Sequence, residues 1–143
     1  MTALDSLIRL HRWQLDEHRR AVNELEQLCL KLRTDLQRLE AEQAAEEKAA
    51  QLSTDIVYGY GSYAAALVAR KSKLAKSLIE AEARTAKARD ALAEAFQEAK
   101  RYEIAAAKRV LHQRMTEKRL EQGDMDELAI EIHQRSNRSK EAS

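Results

Sequence analysis

Residues 4–39 read LDSLIRLHRWQLDEHRRAVNELEQLCLKLRTDLQRL, and the spacing of their apolar side chains decides the fold. Apolar residues recur at alternating intervals of four and three, and the residues between them are mostly charged or glutamine. Nine of the eleven positions in this series are apolar, and the exceptions are His11 and His18. Such a repeat, sustained over about five heptads, is typical of a coiled-coil helix. The predicted seam consists of Leu4, Ile8, His11, Leu15, His18, Val22, Leu25, Cys29, Leu32, Leu36 and Leu39.

The composition of the 143-residue chain agrees with long helices. It contains no proline, three glycines and 25 alanines, and 34% of its residues are charged. Turn-rich β-sandwiches and barrels are excluded, because they need Gly, Pro, β-branched and aromatic residues. The formal net charge of +1 selects neither nucleic acid nor acidic substrates as a partner. The single cysteine, the absence of a signal-like start and the lack of an apolar run of membrane-spanning length predict a soluble cytoplasmic protein without membrane insertion.

A second helical stretch follows a short interruption. We predict a first helix over residues 3–52, a turn over 53–62 that holds two of the glycines, and a second helix over 63–122. The second predicted seam consists of Leu67, Lys71, Leu74, Leu78, Ala81, Thr85, Ala88, Leu92, Ala95, Ala99, Tyr102 and Ala106. If the chain folds back at the turn, residues whose numbers sum to about 113 face each other, and large side chains meet small ones. The predicted fold is therefore all-α, an antiparallel two-helix coiled-coil hairpin in one domain, with the second helix longer than the first.

The end of the chain is predicted to be less regular. Gly123 is expected to interrupt the second helix, because glycine weakens helices and the following Asp-Met-Asp-Glu resembles a helix start. A short helical turn is predicted over residues 125–134, and a disordered polar tail over 136–143.

The sequence offers little catalytic or metal-binding chemistry. His11 and His18 share one face, but a metal site needs a third converging ligand, so we interpret both as seam residues. Cys29 occupies a seam position without an evident activating base, which favours a packing role. Gly59-Tyr60-Gly61 lacks the Gly-Lys-Ser/Thr ending of a phosphate-binding loop. We therefore predict a protein that is not an enzyme and that needs no metal or other cofactor.

Two segments are candidates for partner binding. Tyr58, Tyr60 and Tyr63 place three of the six aromatic residues at one end of the hairpin, where they either pack on one another or form a contact site. Residues 100–119 carry seven basic and two acidic groups, and most of them lie past the predicted reach of the first helix. This second segment is either a solvated helical face or a surface for an acidic protein partner.

The whole pattern resembles the FliJ family of flagellar export proteins and their injectisome relatives such as YscO. The resemblance rests on the architecture, on Ser62-Tyr63 and Leu67 after the turn, and on a long basic second helix that leads into a hydrophobic-Asp-Glu-x-Ala element. That C-terminal element is formed by Met125, Asp126, Glu127, Leu128 and Ala129. The sequence departs from the enteric pattern at Ala65 and Ala66, where a bulkier aromatic residue is expected.

The resemblance implies a stalk in flagellar or type III protein export, peripheral at the export apparatus. Such a stalk binds and stimulates the hexameric export ATPase, contacts the cytoplasmic domain of the export gate and escorts export chaperones. The implied ATPase contacts are Lys108, Arg109, Arg114, Lys118 and Arg119. The implied gate contacts are Tyr58, Tyr60, Tyr63 and Leu67. The alternative function is a homo-oligomeric structural coiled coil without a motor partner.

Overall fold

A computed structural model of the chain describes residues 2–52 and 57–142, apart from the side chains of residues 57–60. It contains two helices, α1 over Ala3–Leu52 and α2 over Val57–Glu141, and the described residues form no strand. The helices pack against each other, which confirms the predicted all-α helical hairpin with a longer second helix. Contacts divide the chain into two compact units. One unit is Arg9–Ala99, and the other combines the start of α1, up to Ile8, with α2 from Lys100 onward.

The core of the Arg9–Ala99 unit is the predicted seam. Seven side chains of the described residues are buried, and each occupies a position that the 4-3 repeat assigns to the seam: Leu15, Val22, Cys29, Leu67, Ala81, Thr85 and Ala99. None of the described side chains is completely enclosed, since two helices cover each seam residue from only two directions. The small residues on α2 let the helix backbones approach each other, and the larger residues on α1 fill the space between them.

Cross-helix contacts in this unit fix the antiparallel register. The Sγ of Cys29 lies 3.4 Å from the Oγ1 of Thr85, and these residue numbers sum to 114. Towards the connection between the helices, Arg33 pairs with Glu82 at 3.0 Å, and farther away Glu26 pairs with Arg89 at 2.9 Å. Partner numbers rise on one helix as they fall on the other, which confirms the predicted folding back of the chain.

The cross-helix ion pairs specify this register more than they stabilise it. The side chains of Arg33, Glu82, Arg89 and Glu26 are each about half exposed, and exposed pairs are worth roughly 0–1 kcal/mol. Lys71 lies 3.9 Å from Glu40, which adds another pair of opposite charges between the two helices. A slipped register would separate these opposite charges, whereas the alanine-rich seam alone would tolerate small shifts.

The first turn of α1 is closed by a reciprocal cap that our sequence analysis missed. The backbone N–H of Asp5 donates to the Oγ1 of Thr2 at 3.2 Å, and the backbone N–H of Thr2 donates to the Oδ2 of Asp5 at 3.0 Å. Two N–H groups that have no partner inside the helix are thereby satisfied. The signal is readable as Thr-x-x-Asp, with the shorter aspartate in place of the usual glutamate.

The ends of α2 differ from the prediction. The predicted turn over 53–62 is too long, because α2 begins at Val57; residues 53–56 lie outside the described residues. The predicted break at Gly123 is wrong as well, since α2 runs on to Glu141 and includes residues 125–134 and most of the predicted tail. No glycine in the described helices has a positive φ. A single glycine costs a helix only about 1 kcal/mol, and without a left-handed residue it does not end one.

Candidate partner-binding surfaces

The predicted ATPase contacts lie in the exposed C-terminal part of α2. Every described side chain from residue 107 to residue 142 is exposed. At 3.6 residues per turn, Lys108, Arg114, Lys118 and Arg119 fall within an arc of about 140°. They therefore form a basic surface along one side of the helix. We call these four residues the basic face.

Arg109, the fifth predicted contact, points in a different direction. It is rotated by about 100° from Lys108 and approaches the start of α1. Hydrogen bonds from Thr2 lower the pKa of the Asp5 carboxyl group, and the positive charge of Arg109 contributes to the same shift. Arg109 is thus close enough to the start of α1 for its charge to act on Asp5, and we leave it out of the basic face.

At the connected end of the hairpin, Tyr63 is held against α1. Its side chain is half-buried, and its hydroxyl donates a hydrogen bond to the carboxylate of Glu42. This bond stabilises the neutral phenol, and together with desolvation it raises the pKa of Tyr63 to about 12. The other two tyrosines of the predicted cluster, Tyr58 and Tyr60, have side chains that lie outside the described residues.

Leu67, predicted as a gate contact, is 3% exposed and packs in the seam. Its neighbour Val68 is 54% exposed on the adjacent face of α2. A binding surface at this end of the hairpin therefore has to consist of residues that flank the seam. Leu67 is itself buried and contributes to the packing of the helices. The 4-3 repeat had already placed Leu67 in the seam, and that assignment is the one that the structure confirms.

A groove farther along the same unit was not predicted. It has a volume of about 510 Å³, and its floor is formed by Leu39 and Leu74 from the two helices. Its walls carry both signs of charge and consist of Asp35, Arg38, Glu42, Arg70, Lys73 and Ser77. A sequence pattern reveals which residues flank a seam but not whether they close over it.

The C-terminal element keeps its side chains available. Met125 is 71% exposed and Leu128 is 57% exposed, and Asp126, Glu127 and Ala129 are exposed as well. The five residues form no compact motif, since consecutive residues of a helix point in different directions. A partner that binds one side of α2 can therefore contact only some of these five residues.

The residues considered for chemistry are placed as packing residues. Cys29 is buried beside Thr85, whose hydroxyl also donates to the backbone carbonyl of Ala81 at 2.7 Å. His11 and His18 are half-buried at their seam positions. Within residues 2–52 and 57–142, no three His, Cys, Asp or Glu side chains are grouped as metal ligands would be.

The Tyr63–Glu42 bond makes a pH-dependent prediction. Because the folded-state pKa of Tyr63 lies above the ordinary value of about 10, the stabilisation is complete below pH 10 and is lost as the pH rises through about 12. We expect Glu42→Gln to lower the pKa of Tyr63, since a neutral amide no longer opposes the phenolate. NMR titration of labelled tyrosine rings measures this, with Tyr63→Phe to assign the signal. An unchanged pKa in Glu42→Gln would show that the bond does not form in solution.

A family comparison decides the identity of this hairpin. Residues 1–138 match the family model described as Flagellar FliJ protein. The chain belongs to the FliJ family. Its role is therefore related to flagellar export, as the resemblance implied. Comparisons of this FliJ-family chain with curated proteins and with solved structures found no match. Over the described residues, neither helix has an apolar stretch long enough to cross a bilayer.

Proposed function

We propose that this chain is the stalk of a flagellar export ATPase, peripheral at the export apparatus, and that it acts by binding rather than by catalysis. The observation that carries the proposal is the basic face, Lys108, Arg114, Lys118 and Arg119. All four side chains are exposed on a part of α2 that leaves α1 behind. Long cations on a free helix can enter a ring lined by carboxylates or backbone carbonyls without separating the hairpin.

Charge complementarity of this kind determines encounter and orientation more than the strength of binding. A stalk in a rotating or cycling ring benefits from such weak, repeated contacts, because each contact must be released at every step. Apolar anchors would hold the helix in one position. Residues 104–120 carry several cations and only isolated apolar residues, which suits weak contacts that are released at every step.

The other end of the hairpin is the proposed contact for the export gate and its chaperones. Tyr63 is half-buried and Val68 is exposed on α2, and Leu67, which lies between them in the sequence, packs in the seam. Tyrosine beside apolar surface is favoured in binding sites, because it buries a large area at a small entropic cost. Separate contacts for the two partners would let one chain bind both the ATPase and the gate.

The direct experiment is a titration of the purified hexameric export ATPase of the same organism with this chain. We expect ATP hydrolysis to increase and to saturate, and the binding to weaken as sodium chloride is raised, since exposed charges are screened. Bovine serum albumin at equal concentration serves as a control for non-specific stabilisation. Failure to bind at low salt would refute the ATPase contact, whereas binding that is insensitive to salt would refute the role of the basic face.

A further inference from the structure

The exposed part of α2 carries a second heptad stripe that faces away from the seam. Apolar residues recur there at intervals of seven, four, ten and seven, all of which fit a 4-3 repeat: Ile104, Leu111, Met115, Met125 and Ile132. These five side chains are 50–71% exposed and lie within an arc of about 100° on the helix. The centre of the stripe is rotated by about 130° from Ala106, the last residue of the seam. A stripe of this kind is what one helix of a coiled coil presents to another.

Charge divides the same part of the helix into two opposite halves. Residues 104–119 contain five basic groups and one acidic group, a net charge of +4. Residues 120–134 contain five acidic groups and no basic one, a net charge of −5. A helix that runs antiparallel to this segment with the same order of charges would match it along its whole length. A parallel copy would place like charges side by side.

We propose that residues 108–132 of α2 pair with the same residues of a second copy of this chain in an antiparallel coiled coil. In the register centred on residue 120, Met115 of one copy lies beside Met125 of the other, and Leu111 lies beside Ala129. The basic half of each copy then faces the acidic half of its partner. A two-fold symmetric contact of this kind is self-complementary, so one sequence supplies both sides.

The energetics of an isolated helix favour such a partner. Most of the stability of helices in water comes from packing an apolar face, not from helix propensity. Residues 107–142 have no such packing within the chain, because all of their described side chains are exposed. Pairing covers the stripe and adds cross-chain contacts between opposite charges. The interface is narrow and interrupted by Lys108, Lys118 and Gln122, so the dimer forms and dissociates readily.

The pairing has a consequence that rests on the proposed function. Lys108, Arg114, Lys118 and Arg119 belong both to the basic face and to the self-pairing segment. A chain paired with its copy therefore cannot present these residues to the ATPase. The dimer is a storage form, and the ATPase binds the monomer.

The test is sedimentation velocity of the full chain over a range of concentrations, with two charge-reversed variants. One carries Arg114→Glu, Lys118→Glu and Arg119→Glu, and the other carries Glu121→Lys, Asp124→Lys and Asp126→Lys. We expect the wild type to dimerise as its concentration rises and each variant alone to dimerise at least about tenfold more weakly. An equimolar mixture of the two variants is expected to form a heterodimer. Reversal of three cations on the hairpin is the matched control and should leave dimerisation unchanged: Lys76, Arg84 and Lys87 to glutamate.

Disulfide formation tests the orientation. Mixed chains that carry Met115→Cys and Met125→Cys, respectively, are expected to form a disulfide between these positions, identified by peptide mass. A disulfide between two Met115→Cys chains alone would indicate parallel pairing and overturn the proposal. A wild-type chain that stays monomeric at the highest concentration reached would overturn it as well.

The ATPase separates this inference from the proposed function. The variant with the acidic half reversed keeps its basic face, so it should still bind the export ATPase although it no longer dimerises. If the wild type does not dimerise but binds the ATPase, only the pairing is lost. If it dimerises but does not bind the ATPase, only the proposed function is lost.

Discussion

Replacement of Arg114, Lys118 and Arg119 by glutamate is expected to abolish stimulation of the export ATPase and to weaken its binding by more than tenfold. Each substitution turns an attractive charge into a repulsive one on the same side of α2, so the local charge changes by six units. The three side chains are exposed. Helix content and melting temperature should therefore stay close to those of the wild type. Circular dichroism and a steady-state ATPase assay measure the two properties.

The matched control carries Lys76→Glu, Arg84→Glu and Lys87→Glu, which change the net charge by the same amount on the hairpin. These residues are exposed as well. If stimulation depends on the basic face, the control should stimulate the ATPase normally. Equal losses in both variants would mean that the ATPase senses the overall charge of the chain and not this surface. Arg109 is left unchanged in both, because its reversal would place a negative charge near Asp5 and disturb the start of α1.

The repeat from Leu4 to Leu39 was sufficient to predict the fold and the pairing of residues. Coiled-coil packing follows directly from the period of the apolar positions, and a hairpin adds only one unknown, the position of the turn. The observed sum of 114 for Cys29 and Thr85 agrees with the predicted value of about 113. The alanines in the α2 seam were equally informative, because small residues on one helix leave room for larger residues on the other.

The ends of the helices were harder to predict, because the free-energy differences that decide where a helix ends are small. Gly123 lowers helix propensity, but residues on both sides of it favour a helix, and no other structure competes. The Thr2–Asp5 cap was missed because aspartate replaces the usual glutamate. The candidate binding surfaces were predicted from the types of residue that they contain. Which of these residues are exposed depends on their position relative to the seam. The seam buries Leu67, and it leaves the basic face exposed.

Truncation of Leu67 to alanine is expected to lower the free energy of unfolding by about 2–4 kcal/mol, the range for buried leucines. Leu67 is 3% exposed and is the most buried leucine of the described residues. Its removal leaves a cavity between α1 and α2 that the neighbouring alanines cannot fill. For a chain of this size such a loss lowers the melting temperature by roughly 6–16 °C. Thermal and urea unfolding followed by circular dichroism measure the change.

Val68→Ala is the matched control, because it truncates a neighbouring aliphatic side chain that is 54% exposed. Its cost should be within about 0.5 kcal/mol, as for most surface substitutions. The pair also separates two roles at this end of the hairpin. If Leu67 acts through the fold, its truncation should weaken gate binding only near its lowered melting temperature, whereas Val68→Ala should weaken binding at all temperatures. A Leu67→Ala chain that melts like the wild type would place Leu67 outside the seam and return it to the binding surface.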